Sequence, residues 1–225
     1  MKKEDAAIQL SRDGFYVFPL EVNGKKPLIM DFPNKASRDP VTIQDWWRGR
    51  NYNIGIYTGK FRDNEALVVV DVDDKAGKNG SQTLLSLDMD GKEFPKTMEQ
   101  STPSGGRHLI YQSTYACKQG VEVLGNGLDI RSYGGYIVAP GSEIDGKPYA
   151  LVADFTNIKP APDWLINRLG KSVEATPQAK IVLPGIDPEK AEQRAIKYLN
   201  TLEPTEQGSR NDTGYRVAVK LKDLG

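Results

Sequence analysis

Ala66-Leu67-Val68-Val69-Val70-Asp71-Val72-Asp73 is the stretch on which the reading of this chain turns. A continuous β-branched run predicts a strand buried on both faces. It ends in two carboxylates separated by one residue. Side chains two apart in a strand share a face, so Asp71 and Asp73 are expected to project together, with Val72 on the other side. Two aligned carboxylates at the end of a core strand repel each other, and burying them unpaired is costly. A divalent cation removes that cost, and hard oxygen ligands suit Mg²⁺ or Mn²⁺. The competing reading is an acidic surface turn, since Asp74 and Lys75 follow.

The 225 residues are enough for one domain, or one domain and a small appendage, with a real core. Lys plus Arg and Asp plus Glu number 30 each, so the net charge is zero. Any nucleic-acid contact must then be a local patch and not a general electrostatic grip. A single cysteine, Cys117, excludes an intramolecular disulfide and a Cys-rich zinc site. No apolar run approaches membrane-spanning length and the N-terminus is charged. The expectation is a soluble, cytoplasmic protein with no membrane partner.

Outward from the strand, Lys3 to Arg12 predicts a helix with Ala6, Ala7 and Leu10 inward, stopped by Gly14. Phe15 to Pro19 predicts a strand, and Gly24-Lys25-Lys26-Pro27 a basic turn. Thr42-Ile43-Gln44-Asp45 resembles a capping box and is expected to start a helix through Trp46 and Trp47, both packed in the core. Ile54 to Gly59 is expected to form a strand beside Ala66 to Asp73. Ser81 to Leu87 predicts a short helix. Thr97 to Ser101 and Arg107 to Tyr111 predict two strands joined by Thr102-Pro103-Ser104-Gly105-Gly106. Gly127 to Arg131 is a further strand, with Asp129 and Arg131 on one face. Tyr136 to Pro140 follows, Lys147 to Val152 closes the sheet, and Pro162 to Leu169 is helical. A catalytic unit over 1–170, a linker over 171–187 and a helical segment over 188–225 complete the expected organisation. That segment opens on Asp187-Pro188, a strong helix start, and reads as the beginning of a longer helical domain.

Three stretches then converge: Asp71-Val72-Asp73, Ser104-Gly105-Gly106-Arg107-His108 and Leu128-Asp129-Ile130-Arg131. They bring three carboxylates, the only histidine and two arginines. Three carboxylates in one site fit a two-metal centre for phosphoryl or nucleotidyl transfer, with metals ~4 Å apart. The Ser-Gly-Gly turn can offer backbone N–H groups and a hydroxyl to phosphate. His108 and Arg131 can balance phosphate charge. Each piece also has a plain alternative: a hairpin turn, a satisfied polar histidine, an Asp129–Arg131 ion pair.

The ordered set resembles the bifunctional DNA primase–polymerase domain of the archaeo-eukaryotic primase superfamily, of the type carried by plasmids, phages and other mobile elements. The resemblance spans about residues 5 to 165. It starts at Gly14 to Leu20 and Gly24-Lys25-Lys26-Pro27, and continues through Ala36-Ser37-Arg38-Asp39-Pro40, Trp46-Trp47 and Asn53-Ile54-Gly55-Ile56. Asp71-Val72-Asp73, Thr102 to His108, and Gly127 to Arg131 with Gly134 to Pro140 match its three catalytic motifs. The resemblance implies an α+β fold, an RRM-like catalytic sheet fused to an N-terminal α/β unit. It implies that Asp71, Asp73 and Asp129 are catalytic and hold Mg²⁺ or Mn²⁺. Ser104, Gly105, Gly106, Arg107, His108 and Arg131 would bind the incoming nucleotide, a dNTP or NTP. Lys25 and Lys26 are weaker candidates for phosphate or template. The implied partners are a single-stranded DNA template and a helicase domain or helicase protein. With one Cys and one His, the chain cannot build the zinc stem of some relatives. Two other functions stay open: a replication-initiation or single-strand-binding module without turnover, and a metal-dependent phosphoesterase.

Overall fold

Helix α1 (Lys3–Arg12) turns Ala6, Ala7 and Leu10 inward against Ile43 and Trp47 of α3 (Pro40–Trp47). This is the computed structural model of the protein, and it describes residues 2–75, 77–153 and 158–172. The expected helical segment over 188–225 and nearly all of the expected linker lie outside the described residues.

Strand β1 (Phe15–Leu20) follows α1, and a four-residue helix α2 (Phe32–Lys35) precedes α3. Then come β2 (Asn53–Phe61), β3 (Ala66–Val72), α4 (Gly80–Met89), β4 (Met98–Ser101), β5 (Arg107–Ser113), β6 (Leu128–Arg131) and β7 (Tyr136–Val138). The short strands β8 (Glu143–Ile144) and β9 (Lys147–Pro148) form a hairpin, β10 (Ala150–Ala153) follows, and α5 (Asp163–Leu169) ends the described chain. Two larger sheets result, a three-stranded one in the order β1-β2-β7 and a five-stranded one in the order β10-β4-β5-β3-β6. The named strands pair antiparallel throughout, so the fold is mixed α and β with antiparallel sheets and few helices.

β3 is buried on both faces, as its β-branched run predicts. Leu67 and Val69 join the core beneath α1 and α3, with Phe61, Met98 and Ile110. Val68, Val70 and Val72 join a second core with Tyr111, Leu128, Ile130 and Leu165. Full burial of each such side chain stabilises the fold by about 1.5–3 kcal/mol relative to exposure. β3 lies between β5 and the edge strand β6 in the larger sheet.

Three expectations need correction. The strand expected over 54–59 does not pair with β3. Both edges of β2 are taken by β1 and β7, and both edges of β3 by β5 and β6, so neither offers the other a free edge. Reciprocal Phe61–Glu65 backbone hydrogen bonds turn the chain from one sheet into the other. The helix carrying the tryptophans begins at Pro40, not at Thr42. Asp39 is its N-cap, and its carboxylate accepts from Thr42 N at 2.9 Å. Trp47 is buried and donates from Nε1 to Tyr52 O at 3.0 Å, while Trp46 is half-buried beside it. The closing strand expected over 147–152 is split. Lys147–Pro148 pairs in the hairpin, and β10 alone joins the edge of the large sheet beside β4.

Candidate active site

The face of the five-stranded sheet that carries Leu67 and Val69 changes character along its length. At one end it is apolar, with Met98, Ile110 and those two residues. One pleat repeat further on, the register sets Gln100 opposite His108, His108 opposite Asp71, and Asp71 opposite Asp129. Cross-strand partners share a face, so four polar side chains form a row across β4, β5, β3 and β6.

His108 Nε2 lies 3.3 Å from Asp71 Oδ1. Arg131 Nη2 lies 3.5 Å from Asp71 Oδ2 and 2.9 Å from Asp129 Oδ2. Asp129 Oδ1 also accepts from Glu122 N at 2.9 Å. Asp73 follows the end of β3 and is met by Lys75 at 3.1 Å and Lys78 at 3.3 Å. Lys78 also reaches Asp129 Oδ1 at 3.9 Å. The three aspartates are therefore linked to one another through shared cations. Among the described residues, no three His, Cys, Asp or Glu side chains already form a metal-ligand cluster.

Burial pushes the Asp71 carboxyl up, but His108 and then Arg131 pull it further down, so it sits below the usual carboxylate range. Burial, followed by the nearby Asp71 charge, pushes the Tyr149 phenol up to about 12. Tyr149 is thus a neutral group at ordinary pH. Its ring centroid is 6.3 Å from that of His108.

Two members of the row, His108 and Asp71, line a cleft of about 370 Å³ together with Lys25, Arg131, Tyr136 and Tyr149, whereas Asp73 and Asp129 are not part of its lining. Acidic and basic groups thus share one concave, partly aromatic site, able to hold both a cation and an anion.

A model of the family described as "Bifunctional DNA primase/polymerase, N-terminal" matches residues 7–164, more than half of the chain. The chain belongs to the bifunctional DNA primase/polymerase N-terminal family. No curated protein matches it. Membership implies primase/polymerase activity, with DNA and nucleotides as substrates.

In this primase/polymerase domain not every expected site residue reaches the cleft. Strand alternation sends Arg107 to the face opposite His108, where its Nη1 lies 3.5 Å from Glu99 Oε1. Ser104 and Gly105 are exposed at the β4–β5 turn, with Ser104 Oγ 3.1 Å from Thr102 Oγ1. Gly106 is packed against β3: a Cβ there would meet Val72 O at 2.4 Å. Of that turn's expected residues only His108 lines the cleft.

Sequence reasoning missed Gln100, Lys75, Lys78 and Tyr149, and placed Tyr136 in a motif without giving it a role at the site. Gln100 carries no motif signal, and only the hairpin register brings it beside His108. The lysines are two and five residues beyond Asp73, close enough in sequence to have been weighed as its partners.

Proposed function

We propose that the domain is a template-directed nucleotidyltransferase that makes and extends DNA primers for a mobile element, with Asp71, Asp73 and Asp129 holding Mg²⁺ or Mn²⁺. The observation that carries this reading is the row His108–Asp71–Asp129, of which His108 and Asp71 line a cleft that also holds Arg131 and Lys25, in a chain of this family. The RRM-like description is supported by strand order. Taken in chain order, β3, β4, β5 and β6 lie 2-3-1-4 across the sheet, with α4 joining the first two.

The donor set fits the metals. Three carboxylates are hard oxygen ligands, and cationic side chains already bridge them. That bridging marks positions where positive charge is favoured, and Lys78 and Arg131 would give way to the ions. When bound, two such ions activate the attacking primer hydroxyl and neutralise charge on the transferred phosphate.

The chain's own residues supply the rest. His108 donates from Nε2 to a phosphate oxygen of the incoming nucleotide. Arg131, released from one carboxylate, and Lys25 draw the triphosphate into the cleft. Tyr136 and Tyr149 form a neutral aromatic wall beside it. The template would be single-stranded DNA, the site of action the cytoplasm, and a helicase the working partner.

One observation favours a second reading. Lys75, Lys78 and Arg131 neutralise the aspartates without any metal, as a binding module without turnover would require. Incubation with a primed template, Mn²⁺ and labelled dNTPs separates the possibilities. Elongation is expected. Retention of DNA without turnover would favour the binding module, and shortening of DNA a phosphoesterase.

A further inference from the structure

Gln100 is wholly buried on β4, directly opposite His108. Its side-chain nitrogen lies 2.7 Å from two atoms, Val138 O and His108 Nδ1. The first contact decides the second. A backbone carbonyl can only accept, so the amide must present its nitrogen there. Turning the amide over would set Oε1 against another carbonyl oxygen at that distance. Two acceptors would then face each other away from water, and a buried polar group left unmet is costly. Gln100 Oε1 itself has no hydrogen-bond partner among the described residues. Turning the amide would place its N–H groups there, with nothing to accept them. The orientation is therefore set by Val138 and not by the needs of the Gln100 oxygen.

An amide nitrogen carries two hydrogens. One goes to Val138 O. The other is directed at His108 Nδ1, which must then be the unprotonated, accepting nitrogen of the ring. The ring's proton is left on Nε2, the atom that faces Asp71 Oδ1. We infer that Gln100 is a positioning residue, which, itself anchored on Val138 of β7, holds His108 as the Nε2–H tautomer and aims that single N–H into the cleft beside Asp71. The consequence for turnover rests on the proposed contact between His108 and the nucleotide; the tautomer assignment does not. Under both, His108 offers a phosphate oxygen one directed hydrogen bond from Nε2, beside the cations Arg131 and Lys25 that line the same cleft.

The chain has one histidine, so ring-nitrogen NMR of ¹⁵N-labelled protein without a His tag reports on His108 alone. The expected spectrum has Nε2 protonated and Nδ1 unprotonated, with a through-hydrogen-bond ¹⁵N–¹⁵N coupling between Gln100 Nε2 and His108 Nδ1. A wild-type ring protonated at Nδ1 overturns the assignment, and this measurement needs no variant to fold. In Gln100→Glu the carboxylate can only accept, and a proton is expected to appear on Nδ1. A folded Gln100→Glu protein with the wild-type ring pattern overturns the role of Gln100. Gln100→Met is expected to weaken nucleotide affinity several-fold and leave template affinity unchanged; unchanged nucleotide affinity would sink the positioning role. The underlying nucleotide reading fails separately: His108→Ala with unaltered nucleotide affinity refutes that contact while the wild-type ring spectrum still stands.

Discussion

Asp71 and Asp129 stand directly opposite each other on neighbouring strands, and one nitrogen of Arg131 touches both carboxylates. Like charges directly opposite in an antiparallel pair destabilise a sheet. Here the repulsion is offset locally, by a residue two positions from Asp129 on the same face. An acidic pair, one member buried and the other partly so, is thus tolerated between β3 and the edge strand β6, with its charge held by a side chain that an ion can replace.

Removing that side chain should expose the repulsion. Arg131→Met is expected to cost about 0.2–1 kcal/mol, the range for such cross-strand pairs, or at most a few degrees of Tm in a chain of this size. Adding Asp129→Asn should recover most of the loss, and so should Mn²⁺ added to the single variant. Thermal melts of the single and double variants, with and without Mn²⁺, check this. A double variant no more stable than the single one would show that the two carboxylates are not coupled.

Asp71→Ala and Asp129→Ala are each expected to abolish template-directed extension, and EDTA should do the same reversibly. From the sequence alone, removing Asp71 or Asp73 from a repelling pair looks neutral or slightly stabilising. The structure changes that expectation for Asp71, because its loss strips His108 Nε2 and one side of Arg131 of an acceptor. Melting temperatures at or slightly below wild type are expected, with unchanged circular dichroism. Extension at the wild-type rate by either variant would remove it from the catalytic set.

How much of this was legible depends on how local the signal is. The β-branched run over residues 66–72 fixes β3 and both of its faces from sequence alone, because period and length are local properties. The shared face of Asp129 and Arg131 follows from the same rule. The partition into two sheets was not legible: Ile54-Gly55-Ile56 offers the same apolar edges to any strand, and only competition from β1 and β7 decides. Gln100 was invisible for a related reason, since its position opposite His108 depends on the register of a hairpin with a five-residue turn. The start of α3 was a different kind of miss. Asp39-Pro40 carries the same N-cap and first-turn proline signal as Asp187-Pro188, and the capping box at Thr42 drew attention away from it.

Asp39 gives a pH-dependent test of that cap. Hydrogen bonds from the Thr42 side chain and backbone hold its carboxyl below the ordinary value of 3.8. A lowered folded-state pKa means stability that is present above the unfolded value and lost as pH falls through the folded one. Asp39→Ala is therefore expected to melt below wild type from neutral pH down to about pH 4, with the gap closing under more acidic conditions. Asp39→Asn, which keeps an acceptor, should show a smaller gap at neutral pH. A gap that stays constant into strong acid would mean that the carboxylate is not the source of the capping stability.

The last prediction concerns how Asp73 is held. It lies just past β3, where no ladder fixes it, yet its backbone is gripped from two sides. Asp73 N donates to Gly127 O, and Gly80 N donates to Asp73 O, each at 2.9 Å. The glycines make this approach possible. A Cβ at Gly80 would lie 2.6 Å from Gly127 O and 2.9 Å from both Asp73 N and Asp73 O. A Cβ at Gly127, whose φ is +75°, would lie 2.5 Å from Gly80 N. Gly80 is also the first residue of α4, so two effects oppose each other in Gly80→Ala. Helix propensity favours Ala by up to about 1 kcal/mol, and by less at a helix end. Forcing an extra methyl into closed packing costs about 1–3 kcal/mol, here against backbone that cannot rotate away. Overpacking should win, lowering Tm by a few degrees. The displaced Asp73 should also weaken Mn²⁺ binding, measurable by calorimetry on the free protein. Gly127→Ala adds a left-handed backbone penalty and is expected to be the worse of the two. A Gly80→Ala protein that melts above wild type and binds Mn²⁺ normally would show that propensity outweighs packing here, and that the three-segment contact does not position Asp73.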